Sequence, residues 1–412
     1  MPASPARGYS VVAAGVAVNL CLGILYAWSV WKQVLVGPPG EPMTGLNAGW
    51  HFLSDAQATV AYAVCGVTFA LAMIPGGRVQ DRYGPRVGVT LGGLFLAVGC
   101  VVAGLMKSFP GLVAGFGLLG GVGMGLGYAA ATPAAVKWFG PHRRGLVVGL
   151  VVGGYGAAAV YIAPLARALI ETYGLSTSFI ALGAGFAAVV LVAGRLLVPP
   201  PPGYVPPGPA VAAVARDSVP PREMARTPGY WLLLFLMFAS AQSGLLVIAN
   251  AAGLLKTTAG AGSWLAANGW VLAAFGGVVN AAGRVGTGFY SDRVGRPTAY
   301  LLNGLVAAAA LVATPFVVAA GSVPLLFLVV GVAFWQYGGG LALLPAFTAD
   351  RYGPKHLGAN YGLVFLGWGA AFLVPQLAGV LKDRTGSLDL AFWLSAGVLL
   401  AGVTASRAGR PQ

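Results

Sequence analysis

Arg284 is a permanently charged side chain in a stretch that supplies nothing to neutralise it. It lies in VVNAAGRVGTGFYSDRVGR (278–296), on a run that carries no other charge from Trp264 until Asp292 and Arg293. An arginine deep in an apolar span costs about 2.5–3.5 kcal/mol on insertion scales, so it persists only beside water or an anion. Its planar fork of N–H donors matches a carboxylate bidentately, which a point-like ammonium does not. Snorkelling is disfavoured, because the end of the span, marked by Asp292, is about 12 Å further along a helix. Every Asp and Glu falls at a span end, in a loop or in the linker, so no internal ion-pair partner is expected. Asn280 lies one turn earlier and shares the face of Arg284. Its amide can bond a hydroxyl or a carboxylate but cannot carry a proton at ordinary pH; contact between helices is its other natural role.

Composition defines what must position these groups. The chain is 58% hydrophobic and 8% charged, with 64 glycines and a mean hydropathy of +0.80, whereas soluble domains carry about 25% charged residues. An all-α integral membrane protein follows, with the bilayer as its main solvent. Apolar runs of about 20 residues, enough to cross a hydrocarbon core of about 30 Å, lie near 9–35, 55–76, 87–106, 110–138, 145–170, 176–198, 229–255, 264–290, 298–319, 323–348, 357–381 and 388–406. Twelve transmembrane helices are expected. The Pro-rich stretch between the sixth and seventh cannot span or pack regularly. It divides the chain into six-helix bundles at 1–198 and 229–412, joined by a linker at 199–228. The first run is too long for a signal peptide's apolar region and is read as retained.

With both termini in the cytoplasm, most of the 24 Lys and Arg residues fall on that side, the arrangement of an inner-membrane protein. The net charge of +14 then reports topology, and nucleic acid is not an expected partner. Lys32 and Lys382 count among the outside charges. Cys21, Cys65 and Cys100 fall within apolar runs and His51, His142 and His356 at loops or helix ends, so neither a disulfide framework nor a metal site is expected. A membrane enzyme needs a nucleophile, a metal cluster or paired acids, and an ATP-driven pump needs a phosphate-binding loop. The sequence offers neither, so energy must come from gradients and no cofactor is expected.

The chain also repeats itself. GGRVQDRYGPR (76–86) follows the second run and GFYSDRVGRP (288–297) the eighth. Both contain G-x-x-x-D-R-x-G, as expected of two halves related by an axis along the membrane normal. This duplicated loop, the twelve runs and the central linker resemble the major facilitator superfamily over essentially the whole chain. LYAWSVW (25–31), GVGMGLGYAAATPAAVKWF (121–139) and NAAGR (280–284) resemble the oxalate:formate antiporter and monocarboxylate transporter families. The resemblance implies that Asp81, Arg82, Asp292 and Arg293 bridge helix ends and gate the conformational cycle, and that Arg284 binds a substrate carboxylate. It places Tyr128 and Tyr337 among the aromatics around the anion. Trp335, pointing elsewhere on the same helix as Tyr337, competes with it, and Tyr26, Trp28 and Tyr155 are further candidates. In monocarboxylate transporters an aspartate that takes part in proton coupling stands where this chain has Asn280. In the oxalate carrier a second lysine stands where this chain has Trp368. One central cation suits one carboxylate. The expectation is a secondary carrier of a small monocarboxylate anion such as lactate or pyruvate, driven by proton symport and functional as a monomer. An oxalate/formate-type anion exchanger is the alternative.

Overall fold

The computed structural model describes residues 5–139, 141–201, 203–204, 218–353 and 356–408. Its principal helices are α1 (Pro5–Leu22), α2 (Trp28–Leu35), α3 (Asp55–Tyr83), α4 (Pro85–Met106), α5 (Gly121–Val136), α6 (Pro141–Ala157), α7 (Ala159–Gly194), α8 (Pro228–Ala259), α9 (Trp270–Val294), α10 (Arg296–Ala319), α11 (Val323–Tyr352), α12 (Leu357–Val364), α13 (Leu366–Ala371), α14 (Leu373–Thr385) and α15 (Asp389–Ala408). Helices satisfy their own backbone donors and acceptors, which is the condition for crossing lipid. The bundle's outer faces expose Leu105, Val192, Phe289, Phe316 and Leu328. In water these would form an adhesive surface; on a multi-pass membrane protein they meet acyl chains.

By length and composition ten helices qualify to cross a membrane, against the twelve expected. Two expected spans, 145–170 and 176–198, share one of the ten, Leu146–Gly194, whose 49 residues turn at Gly174, where φ is 83°. The expected span at 264–290 corresponds to α9, 25 residues long, or about 37 Å of helix, which is not among the ten.

The repeated motif has a local cause. Its last glycine, Gly84 in one copy and Gly295 in the other, ends α3 and α9 with φ of 85° and 83°, a conformation that penalises any Cβ. The next helix then starts at once, with proline in its first turn both times. Asp350–Gly353 ends α11 in the same way, with φ of 77° at Gly353, a third D-R-x-G turn. The side chains of Asp81 and Asp292 lie outside the described residues. Arg82 and Arg293 are exposed and lie over the rings of Tyr83 and Phe289, at 5.3 and 4.4 Å from the centroids.

Helices α3, α4 and α5 pack together, as do α9, α10, α11 and α15. Segments before and after the linker meet where α9 packs on α6 and α7, α8 on α2, and α13 and α14 on α3. Between α2 and α3 the chain turns back on itself, with Leu53 N donating to Leu35 O at 2.9 Å and Met43 N to Trp50 O at 2.8 Å. Asn47 Oδ1 accepts from Leu175 N at 2.8 Å and Trp50 Nε1 donates to Ser176 Oγ at 3.0 Å, which docks this loop on the Gly174 turn. Of the linker, Val219 N donates to Tyr352 O and Val219 O accepts from Asn360 Nδ2, both at 3.0 Å. The stretch 205–217 lies outside the described residues.

Candidate functional site

The first span reaches the centre of the bundle as a short 3-10 turn, Gly23–Ala27, between α1 and α2. A Cβ on Gly23 would stand 2.7 Å from the Tyr155 carbonyl, so only glycine lets the turn settle against α6. The turn delivers Tyr26 to Arg284. The guanidinium, 5% exposed, donates from Nη2 to Tyr26 Oη at 3.3 Å, from Nη1 to Val152 O at 3.1 Å and from Nε to Asn280 Oδ1 at 3.3 Å. Tyr26 Oη in turn lies 2.7 Å from Tyr337 Oη, which accepts from Trp368 Nε1 at 2.8 Å. One hydrogen-bonded chain thus joins Arg284, Tyr26, Tyr337 and Trp368. Its members come from α9, the 3-10 turn, α11 and α13.

Aromatic rings enclose the chain. Tyr155 meets Tyr26 and Tyr128 edge-on at 5.0 and 5.3 Å. Phe69 packs on Tyr128, Tyr155 and Trp368, and Phe365 stacks on Trp368 at 4.8 Å. The half-buried Tyr128 and Tyr361 lie within electrostatic reach of the guanidinium. Close backbone approach completes the wall: a Cβ on Gly338 would stand 2.2 Å from Asn280 O, and one on Gly156 3.2 Å from Arg284 Nε.

The electrostatics follow from the partners. All three acceptors are neutral, and among the described residues no carboxylate pairs with Arg284. Guanidinium has five N–H donors, so the positive charge and part of the fork remain for another anion. Asn280 Nδ2 is a second donor, buried and without a partner. A small carboxylate brings what both lack.

Of the residues singled out from sequence, Arg284, Asn280, Tyr26, Tyr128, Tyr337, Trp368 and Tyr155 gather in this one place. Trp335 does not join them. It packs on Gly283 and Gly286 of α9 and borders a groove with Phe275, Val279, Asn303 and Phe327. Trp28 stacks on Phe116 at 4.7 Å and leans on Tyr62 at 6.5 Å. Four partners escaped the sequence, the Tyr361 phenol among them. The Val152 carbonyl is backbone and has no sequence signal, while Phe69 and Phe365 are apolar aromatics like many others. Lys32, counted with the outside charges, is 5% exposed and ion-paired to Asp55, itself 3% exposed. Its place inside the run 9–35 was the available signal.

Among the described residues, a helical bundle holds Arg284 buried among aromatics with no carboxylate partner, an arrangement that suits a carrier of small anions. The chain belongs to the Major Facilitator Superfamily, whose family model matches residues 15–374. It is similar to the oxalate:formate antiporter of Oxalobacter formigenes, 25% identical over 392 residues that cover 90% of this chain and 88% of the relative. Monocarboxylate transporter 11 of Mus musculus is 28% identical over 378 residues, 85% of this chain and 78% of the relative. Apicoplast pyruvate carrier 1 of Toxoplasma gondii is 34% identical over 128 residues, 31% of this chain and 23% of the relative. Among solved structures, a bacterial homologue of the human lysosomal transporter Spinster, inward-facing and unoccupied, superposes with a TM-score of 0.66 at 20% identity, covering 99% of this chain and 96% of its own. That likeness concerns the fold.

Proposed function

We propose that this transporter carries small monocarboxylates, lactate or pyruvate among them, across the cytoplasmic membrane by alternating access. The carrying observation is Arg284, a buried guanidinium held by neutral acceptors and free to take one carboxylate. Trp368 supports the restriction to one charge. Its indole donates to Tyr337 and presents an apolar wall beside the carbon tail, whereas a dianion would need a second cation. In this reading the bundles 1–198 and 229–412 rock about the site, the D-R loops at Asp81, Arg82, Asp292 and Arg293 gate the end that carries the termini, and both termini face the cytoplasm. Proton symport drives net uptake.

Anion exchange is the second reading, and one observation favours it. Asn280, beside Arg284, is an amide and carries no proton, so an empty, positively charged site would return more readily when loaded with another anion. Counterflow of labelled lactate, pyruvate, formate and oxalate in proteoliposomes, with and without an imposed proton gradient, separates the readings. Gradient-driven accumulation of monocarboxylates is expected. Strict one-for-one exchange insensitive to the gradient would replace symport with exchange, and an absence of flux for every acid would sink both.

A further inference from the structure

A second set of charges, of which Lys32 and Asp55 are buried, lies away from Arg284, at the end of the bundle opposite the termini. Asp55, the first residue of α3, places Oδ1 2.5 Å from Lys32 Nζ of α2 and Oδ2 2.5 Å from Lys382 Nζ of α14. Lys32 Nζ also donates to Asn250 Oδ1 of α8 at 2.7 Å. Asp383, next to Lys382, accepts from the backbone N–H of Asp55 at 3.0 Å and of Ala56 at 2.9 Å. It therefore caps α3 from another part of the chain, supplying negative charge where the helix leaves its first amides unpaired and its dipole positive. Helix α14 comes close enough that a Cβ on Gly379 would stand 2.5 Å from Thr59 Oγ1.

Three of these contacts join residues before the linker to residues after it: Lys382 with Asp55, Asp383 with the start of α3, and Lys32 with Asn250. We propose that Lys32, Asp55, Lys382 and Asp383 form a charge latch that holds this end shut, and that its release exposes the Arg284 pocket to that side. The grouping of charges makes release reversible. Lys32 and Asp55 both precede the linker and stay together when α14 withdraws, while Lys382 and Asp383 leave together. Each side then carries one positive and one negative charge, so neither is left with the uncompensated buried ion that makes breaking such pairs costly. Water has access for the exchange, because Lys32, Asp55, Asn250, Lys256 and Lys382 border a cleft at this end. The 3-10 turn at Gly23–Ala27 supplies the link to the site. It carries Tyr26 and joins α1 to the Lys32-bearing α2, and a tighter turn within a helical span is a recurrent hinge.

The latch does not depend on which anion is carried, so it is tested without substrate. Spin labels at Leu46→Cys and Leu390→Cys, both exposed and on opposite sides of the linker, report the opening by pulsed electron–electron distance measurement. Asp55→Asn and Lys382→Met are each expected to raise the population with a long distance about tenfold, the equivalent of ~1.4 kcal/mol. Arg384→Met, an exposed neighbour outside the cluster, is expected to leave the distribution unchanged. Lys382, the more exposed partner, is the variant least exposed to folding failure and decides alone if Asp55→Asn does not fold. Native distance distributions in folded Lys382→Met, or an equal opening in Arg384→Met, would overturn the latch.

Discussion

Replacing Arg284 with lysine keeps the charge and removes the fork, which isolates what the guanidinium geometry contributes. In the structure three separate nitrogens reach Asn280, Val152 and Tyr26 at 3.3, 3.1 and 3.3 Å. A single ammonium cannot serve three acceptors on three elements and also bind a carboxylate through two parallel N–H bonds. A hydrogen bond to a charged group contributes about 1.5–3 kcal/mol. Losing one of the two fork bonds therefore weakens carboxylate binding about 10- to 150-fold, at ~1.4 kcal/mol for each factor of ten. Folding is expected to change far less, because the lost contacts are to neutral acceptors and the aromatic shell around them remains. The assay is concentration-dependent uptake of labelled lactate into proteoliposomes, with thermal unfolding of the purified variant measured alongside. Uptake within twofold of native at every concentration would refute the assignment of the carboxylate to Arg284. A large fall in unfolding temperature with native substrate affinity would recast Arg284 as a structural tie between α9, Val152 and Tyr26.

Trp368→Lys adds a second central cation and is expected to raise inhibition of lactate uptake by oxalate; strong oxalate competition in the native protein would instead favour the exchanger reading. Asp81→Asn and Asp292→Asn are expected to slow transport and shift the balance of conformations without changing which acids compete, and altered selectivity at an unchanged conformational balance would count against a gating role. Gly66→Ala places a Cβ 2.1 Å from the Phe372 ring, an overpacking of the α3 contact that costs about 1–3 kcal/mol. It is expected to lengthen the Leu46-to-Leu390 label distance as the latch variants do, and an unchanged distribution would mean that this contact is not part of closure.

How far the site was legible depended on the kind of signal each residue gave. Arg284 stood out because a charge in a long apolar run has few explanations. Tyr26, Tyr337 and Trp368 were reached through resemblance, since a lone aromatic in a membrane helix does not announce a role, and Trp335 shows how nearby aromatics diverge: two residues from Tyr337, it faces a different groove. The Lys32–Asp55 pair was missed for a topological reason. Its members belong to consecutive spans and meet because the intervening loop folds back, with Leu53 N bonded to Leu35 O, a pairing that periodicity does not report. Hydropathy located ten helices long and apolar enough to span, with two departures from the expected twelve: the turn at Gly174 joins two expected spans in one helical stretch, and α9 is not among the ten.

The central site and the latch meet the same electrostatic demand in opposite ways. At the latch, Lys32 and Lys382 share Asp55, and Asp383 stands beside them on the first amides of α3. That set is neutral as it stands and gains nothing from binding an ion. At the centre, Arg284 has oxygen acceptors but no negative charge, and Asn280 adds an unpartnered donor, so the deficit is one anion. Among the described residues, the buried Lys32 is neutralised by a carboxylate and the buried Arg284 is not, and that contrast supports the proposal of an anion at the centre. Moving that deficit tests the logic: a carboxylate supplied in place, by Asn280→Asp, should pair with Arg284, compete with the substrate and raise the concentration needed for half-maximal lactate uptake under conditions that keep the new side chain ionised. Unchanged lactate affinity in that variant would mean that the substrate carboxylate and residue 280 do not share the guanidinium.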